Sequence, residues 1–343
     1  MAVQIQFRRG TALEWSTANP VLAEGEMGVV TDTGRYKIGN GVDAWNALSP
    51  AELAPDVTAL TMSATTDPGS SPADHLTFYA RALAGRIMPK IVGPSGLDTL
   101  LQPFIGRNKI GGFTPPGNAA TVTTWGCYTA PTATGTATTR SVATTNLFTR
   151  MRRLGYVSTA VAGNLAGARV AAAQVSVGDG VGNGTGFFKV IRFGISDAVL
   201  VSGARTFVGL TNATGAPTNV EPSTLTNCIG VGNRAADTNL HIFSGGSVAQ
   251  TPISLGANFP TNTINTDVYD FAVFAPPNTS DVFYEVTRLN TGHVATGQIA
   301  NGGGVALPAP TTLLTYLNAW RSNNATAAAV GLDIMSDYIE TDY

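Results

Sequence analysis

Three histidines, His75, His241 and His293, stand in the 343-residue chain, and none falls in HExxH or another two-histidine spacing that would hold a catalytic metal. The two cysteines, Cys127 and Cys228, lack CxxC spacing, and each reads as a buried free thiol. No GxSxG elbow is present for a serine nucleophile. The run Gly178-Asp179-Gly180-Val181-Gly182-Asn183-Gly184 lacks both the lysine of a phosphate loop and the acids of a calcium loop, so it reads as a flexible hairpin loop. Two acid pairs, Asp267 with Asp270 and Asp281 with Glu285, come near the spacing of a glycoside-cleaving dyad. On strands, however, residues three apart point to opposite faces, and residues four apart share a face at about 13 Å. No catalytic residue, metal or cofactor is therefore expected, although acids from distant strands could still meet.

What remains is recognition chemistry. Sugars are bound by an apolar ring beneath the pyranose and by a few placed amides and charges on the hydroxyls. Two segments concentrate such groups: Asn233, Arg234, Asp237, Asn239 and His241, then Arg288, Asn290 and His293. If Leu240 and Ile242 face a core, His241 faces solvent. Each segment alone also reads as an ordinary polar turn. Loops of a β-sandwich gather at its two ends, so convergence would make Arg234 and Arg288 charge-assisted donors to one ligand. Trp125, Tyr128 and Trp320 read as core aromatics or as sugar platforms.

These groups need a scaffold, and the composition specifies one. Hydrophobic residues are 43% and charged residues only 12%, with 39 glycines and 19 prolines. That favours short strands and many turns over a helical bundle, coiled coil or disordered chain. Residues 4–7 alternate as a strand, 10–18 suit a short helical turn, and 27–31 with 35–39 form a hairpin around Asp32-Thr33-Gly34. Residues 51–74 have linker composition. Residues 75–81 and 86–92 read as a hairpin, with a rival in the heptad spacing of Leu76, Ala80, Leu83 and Ile87, which would suit a short trimeric helix. Beyond residue 113, runs at 121–128, 155–162, 169–177, 186–193, 204–210, 239–243, 268–274, 282–289 and 327–334 alternate with Gly/Asn/Pro/Thr clusters. With no repeat period and no long amphipathic helix, the fold class is all-β, ending in an antiparallel sandwich of jelly-roll type.

Net charge is −2, which argues against a general nucleic-acid binder. The distribution is uneven: residues 81–192 carry twelve bases against two acids, a net of +10, and residues from 193 onward carry four arginines against eleven acids, a net of −7. Either the two segments pack against each other, or the basic one faces a polyanionic ligand. No apolar run reaches the ~20 residues of a membrane span, and the N-terminus lacks the apolar stretch of a secretory signal.

The order of motifs in IQFRRGTALEW and NPVLAEGEMGVVTDTGRYKIGNGVDAWNAL resembles the N-terminal module of bacteriophage tail-fibre proteins and of the major tropism determinant family. The stretch HLTFYARALAGRIMPKIVGPSGLDTLLQP is similar to the neck hairpin of phage fibres. Stretches such as ATTNLFTRMRRLGYVS and WRSNNATAAAVGLDIMSDYIETDY resemble a distal fibre domain. The resemblance implies a β-prism-like attachment module at 1–50, a linker at 51–74, a neck hairpin region at 75–112 and a lectin-like sandwich at 113–343. It implies a homotrimer on the virion, joined to other virion proteins through the N-terminal module and binding a host-surface glycan or other receptor, with no nucleic acid, no membrane insertion and no catalysis. A structural virion part without receptor binding, such as a head fibre or collar protein, is the alternative, and a glycan depolymerase a third. A core of some fifty residues is marginal alone, so trimerisation is expected to help bury Ile5, Phe7, Trp15, Tyr36 and Trp45.

Overall fold

Thr11 organises the first unit of the chain, and the computed structural model shows how. It describes residues 7–49, 61–68, 71–93, 98–100, 110–117, 119–179, 185–261, 263–301 and 304–341. Two units separate, Met1–Ser63 and Ala64–Tyr343. In the first, Thr11 caps helix α1 (Ala12–Ala18): its hydroxyl accepts the Glu14 amide, and the Glu14 carboxylate accepts the Thr11 amide at 2.7 Å. The helix is placed so that Trp15 stacks on Trp45, ring centroids 4.0 Å apart. The Trp15 indole also donates to the Val29 carbonyl at 2.9 Å. Strands β1 (Arg8–Gly10), β2 (Met27–Val30) and β3 (Tyr36–Ile38) make one sheet, β1 parallel to β2 and β3 antiparallel to it. Gly28 has to be glycine, since a Cβ there would lie 2.5 Å from the Trp45 ring.

The unit thus buries both tryptophans by stacking them on each other, with Leu22 and Val30 completing the cluster. This corrects the expectation that they need partner chains. Phe7 is exposed and precedes the strand, while the expected strand residues 4–6, Ile5 among them, lie outside the described residues.

The second unit opens with a hairpin, β4 (Thr77–Leu83) and β5 (Arg86–Val92), and not the rival helix. Ala84 (φ 47°) and Gly85 (φ 74°) form its tip, both left-handed as a two-residue primed turn requires. A third strand, β6 (Asp98–Leu100), pairs with β5. The sandwich strands follow: β7 (Ile110–Thr114), β8 (Thr123–Gly126), β9 (Thr132–Thr134), β10 (Thr136–Thr139), β11 (Leu154–Val157), β12 (Leu165–Arg169), β13 (Ala173–Val175), β14 (Phe187–Ile195) and β15 (Arg205–Thr211). Then come β16 (Cys228–Asn233), β17 (His241–Gly245), β18 (Ile253–Ser254), β19 (Tyr269–Ala275), β20 (Val282–Arg288), β21 (His293–Ile299), β22 (Leu314–Thr315), β23 (Asn318–Ser322) and β24 (Gly331–Thr341). Most of the linker and neck stretches 51–74 and 93–112, and the Gly-rich run from 180 to 184, lie outside the described residues.

One sheet runs β10-β11-β24-β14-β19-β20-β21, with β7 joined to β24 and β8 to β7; the other runs β18-β17-β16-β15-β23-β12-β9. Their inner faces share one core, with Ile191, Phe193 and Phe271 from the first and Val208, Ile229 and Ile242 from the second. The two-residue period sets this up. On β14, Phe187, Ile191 and Phe193 point in, while Phe188 lies on the opposite face, where the Arg86 guanidinium sits 4.8 Å above its ring. The far side of the second sheet carries its own apolar cluster of Phe207, Cys228, Phe243 and Trp320.

The uneven charge resolves inside this unit. Arg86 pairs with Glu340, Arg140 and Arg153 with Asp333, Lys189 with Asp337, Arg192 with Asp270, and Arg81 lies 4.0 Å from Glu285. Six bases of the basic segment are therefore matched to the acidic one within the chain and are not held out toward a polyanion, whereas Arg150 and Arg152 are exposed. Both cysteines are free; Cys228 is buried and Cys127 is partly exposed, contrary to the expectation for the latter.

Candidate functional site at the loop end of the sandwich

Asn233 ends β16 and is buried, its amide donating to the Ala204 and Arg234 carbonyls at 2.7 and 2.9 Å. The chain then turns around Asp237, whose carboxylate accepts the Arg234 amide at 2.8 Å and the Arg234 guanidinium at 2.8–3.1 Å. His241 Nδ1 donates to the Asn239 carbonyl at 2.9 Å and lies 3.4 Å from Asp237. Partial burial opposes ionisation of Asp237, but the Arg234 hydrogen bonds and the neighbouring His241 outweigh it and hold the carboxyl below its usual range. The His241 side chain is only 11% exposed, which corrects the expectation that it faces solvent. Leu240 and Ile242 do face the core, and the turn folds over the imidazole from the other side.

The second group leaves β20. Arg288 pairs with Asp267 at 2.8 Å and donates to the Asn258 carbonyl at 3.1 Å. Asn290 accepts the Val268 amide and donates to the Thr266 carbonyl, tying the turn to the start of β19. His293 is exposed and bonds only locally, to Thr291 Oγ1 at 2.7 Å.

One strip, residues 258–261, lies between the two groups. Asn239 bridges to Pro260, Leu240 donates to the Phe259 carbonyl, and Thr261 donates to the Thr238 carbonyl. From the other side, Arg288 reaches Asn258, and the Tyr269 hydroxyl donates to the Pro260 carbonyl at 2.8 Å. The strip's surface is polar and held by these bonds. Thr238, Asn290 and His293 face solvent, while Arg234 and Arg288 each arrive already paired with a carboxylate. Among the aromatic platforms considered, Tyr128 and Trp320 are buried, and Trp125 lies on β8 against Tyr338.

Sequence reasoning missed a second concavity. A cleft of about 560 Å³ opens between the hairpin and the outer face of the first sheet, with Arg81, Lys90 and Arg192 facing Asp67, Asp270 and Glu285 over an apolar floor that includes Val190 and Leu289. Arg192 and Asp270 pair through two bonds of 2.7 Å, and Asp67 accepts from Arg81 and Lys90 at 3.2 and 3.3 Å. No spacing signal reveals it, because Arg81 and Arg192 meet only through the fold. Of the candidate dyad acids, Asp267 and Asp270 are each tied to an arginine, Asp281 accepts from Gln298 and Asn301, and Glu285 lies beneath the hairpin tip. Among the described residues, no cluster of three or more His, Cys, Asp or Glu is placed to hold a metal ion.

Fold and loops together define a modular all-β protein, in which a small N-terminal module precedes a loop-bearing antiparallel sandwich. Residues 5–43 match the major tropism determinant N-terminal domain, and in that span the chain is similar to phage tail-fibre and tropism proteins. Solved structures similar to the chain include the lectin UEA-II complexed with galactose, at 14% identity over 69% of this chain and 100% of that one, TM-score 0.44. Peanut lectin with a nine-residue peptide matches at 13% identity over 68% and 96%, TM-score 0.43. Arcelin-5, a lectin-like defence protein from Phaseolus vulgaris, matches at 8% over 68% and 99%, TM-score 0.41. No curated protein matches the chain. No helix among the described residues is long and apolar enough to cross a membrane.

Proposed function

We propose that this chain is a homotrimeric virion fibre protein that binds a host-surface receptor, of glycan type, through the loop end of its sandwich, without cleaving it. The observation that carries the reading is the tropism-determinant domain at residues 5–43. In this reading that module joins the chain to other virion proteins. The strip at 258–261, flanked by the Asn233–His241 and Arg288–His293 groups, is the receptor face: its paired charges form a preorganised polar surface, and Thr238, Asn290 and His293 supply hydroxyl, amide and imidazole groups toward sugar hydroxyls. Three copies would turn weak single-site binding into firm adhesion. Trimer contact is assigned to the outward face of the hairpin, where Leu76, Phe78 and Ile87 are exposed by 66, 44 and 55%.

The test is adhesion of purified protein to host cells before and after the surface glycans are stripped. Binding that disappears on stripping is the expected result. Protein that assembles into particles yet never binds cells makes it a structural virion part, and shortened glycan chains make it a depolymerase.

A further inference from the structure

Lys189 and Asp337 lie inside the sandwich core, both side chains fully buried. In the pairing of β14 with β24, Lys189 stands opposite Ile339 and Asp337 opposite Ile191. The two are therefore diagonal neighbours on the same inward face, within reach of each other's side chains. Lys189 Nζ contacts Asp337 Oδ1, and the Tyr128 hydroxyl donates to Oδ2. Each carboxyl oxygen thus has its own partner, and the carboxyl carbon is one bond away from the oxygen that the amine touches. A second ion pair fully buried among the described residues, Arg321 with Asp197, uses a guanidinium, which stays protonated and is no nucleophile.

Burial disfavours the charged form of both groups. It holds the Lys189 amine below its usual range and the Asp337 carboxyl above its own, and so favours the neutral amine and the neutral acid. Burial and the adjacent Asp337 push the Tyr128 phenol well up, so it remains a hydrogen-bond donor. An amine pushed toward its neutral form and held at one oxygen of a carboxyl, with a donor on the other oxygen where negative charge can develop, has the components of acyl transfer.

We propose that Lys189 and Asp337 condense in the folded protein to an amide that links β14 covalently to β24. The Nζ lone pair forms the bond to Cγ, and the Cγ–O bond to the carboxyl hydroxyl breaks. That oxygen keeps the electron pair, takes a proton from nitrogen and departs as water. No oxidant, reductant or co-reactant is needed. Tyr128 touches the reacting carboxyl and acts as the oxyanion donor.

Intact-mass spectrometry of the denatured protein tests this, followed by peptide mapping. The expected mass is below the sequence mass by one water, with a branched peptide joining the segments that hold Lys189 and Asp337. Lys189→Met removes both signatures. Asp337→Asn, where the same bond would release ammonia in place of water, retains the branched peptide. Tyr128→Phe lowers the linked fraction in freshly folded protein. A wild-type mass equal to the sequence mass, or a missing water mapped to a succinimide elsewhere, overturns the proposal and leaves an unreacted buried ion pair. The wild-type measurement decides even if the variants fail to fold.

Discussion

Arg234 and Arg288 differ in what holds them, and their substitutions should part accordingly. Asp267, the partner of Arg288, is 1% exposed, so Arg288→Ala strands a buried carboxylate with little beyond the Tyr269 hydroxyl. We expect a loss of about 3 kcal/mol, seen as a lower Tm, together with any loss of adhesion. Arg234 is 39% exposed and its pair is local, so Arg234→Ala should cost under about 1 kcal/mol. His293→Ala should leave Tm unchanged, and reduced cell adhesion in that variant is the cleanest signature of the proposed receptor face. Acid should act through Asp237. Its carboxyl is depressed in the folded chain, so its contribution is complete above the unfolded value of about 3.9 and fades as pH falls through the lower folded value. Adhesion of wild type should therefore persist at pH 5 and weaken only in stronger acid, whereas Asp237→Asn should weaken it at neutral pH. Normal adhesion by Asp237→Asn at pH 7 would count against this role. Burial pushes the Cys228 thiol up to about 12, and thiol reagents should leave it unmodified until the sandwich unfolds.

At the scale of elements, the hairpin bears the clearest test. Its outward face presents Phe78 opposite Ile91 and Ala82 opposite Ile87, a continuous apolar surface. The double variant Phe78→Asp/Ile87→Asp should convert a trimer to monomers in light scattering with the sandwich still folded; a wild type that is already monomeric would remove the trimer from the proposal. In the first unit, Gly28→Ala should separate the Trp15–Trp45 stack and shift its fluorescence. Much of this layer was legible in the sequence. The hairpins at 27–39 and 77–92 announce themselves by alternation and tight turn residues, and Thr11 with Glu14 marks a helix start. Strand β16 was not legible, because Cys-Ile-Gly-Val-Gly-Asn reads as a loop. Gly230 is there because Phe207 covers it, a Cβ coming within 2.6 Å of that ring, and Gly232 because a Cβ would run into the Thr206 carbonyl. The polar groups at 233–241 and 288–293 could be picked out by composition, but their internal pairing could not, since Asp267 and Asn258 are remote in sequence from the segment they hold.

At the scale of the whole molecule, six bases of the basic segment meet acids of the acidic one across buried or half-buried pairs, which salt screens weakly. Raising salt from low to high should leave Tm of the sandwich nearly constant, and a steep fall would mean that exposed charges carry more of the stability than this pairing indicates. The position of β24 has a consequence for how the protein is made. This strand lies between β11 and β14, in the middle of its sheet, and pairs Thr341 with Phe187. A ribosome adding about 5–20 residues per second needs on the order of ten seconds to pass from β14 to β24. Throughout that interval β14 has an open edge where its central neighbour belongs, with Phe187, Ile191 and Phe193 in line behind it. Nascent chains on neighbouring ribosomes offer each other the same edge, so yield in the cell that makes the protein depends on keeping them apart until the closing strand arrives.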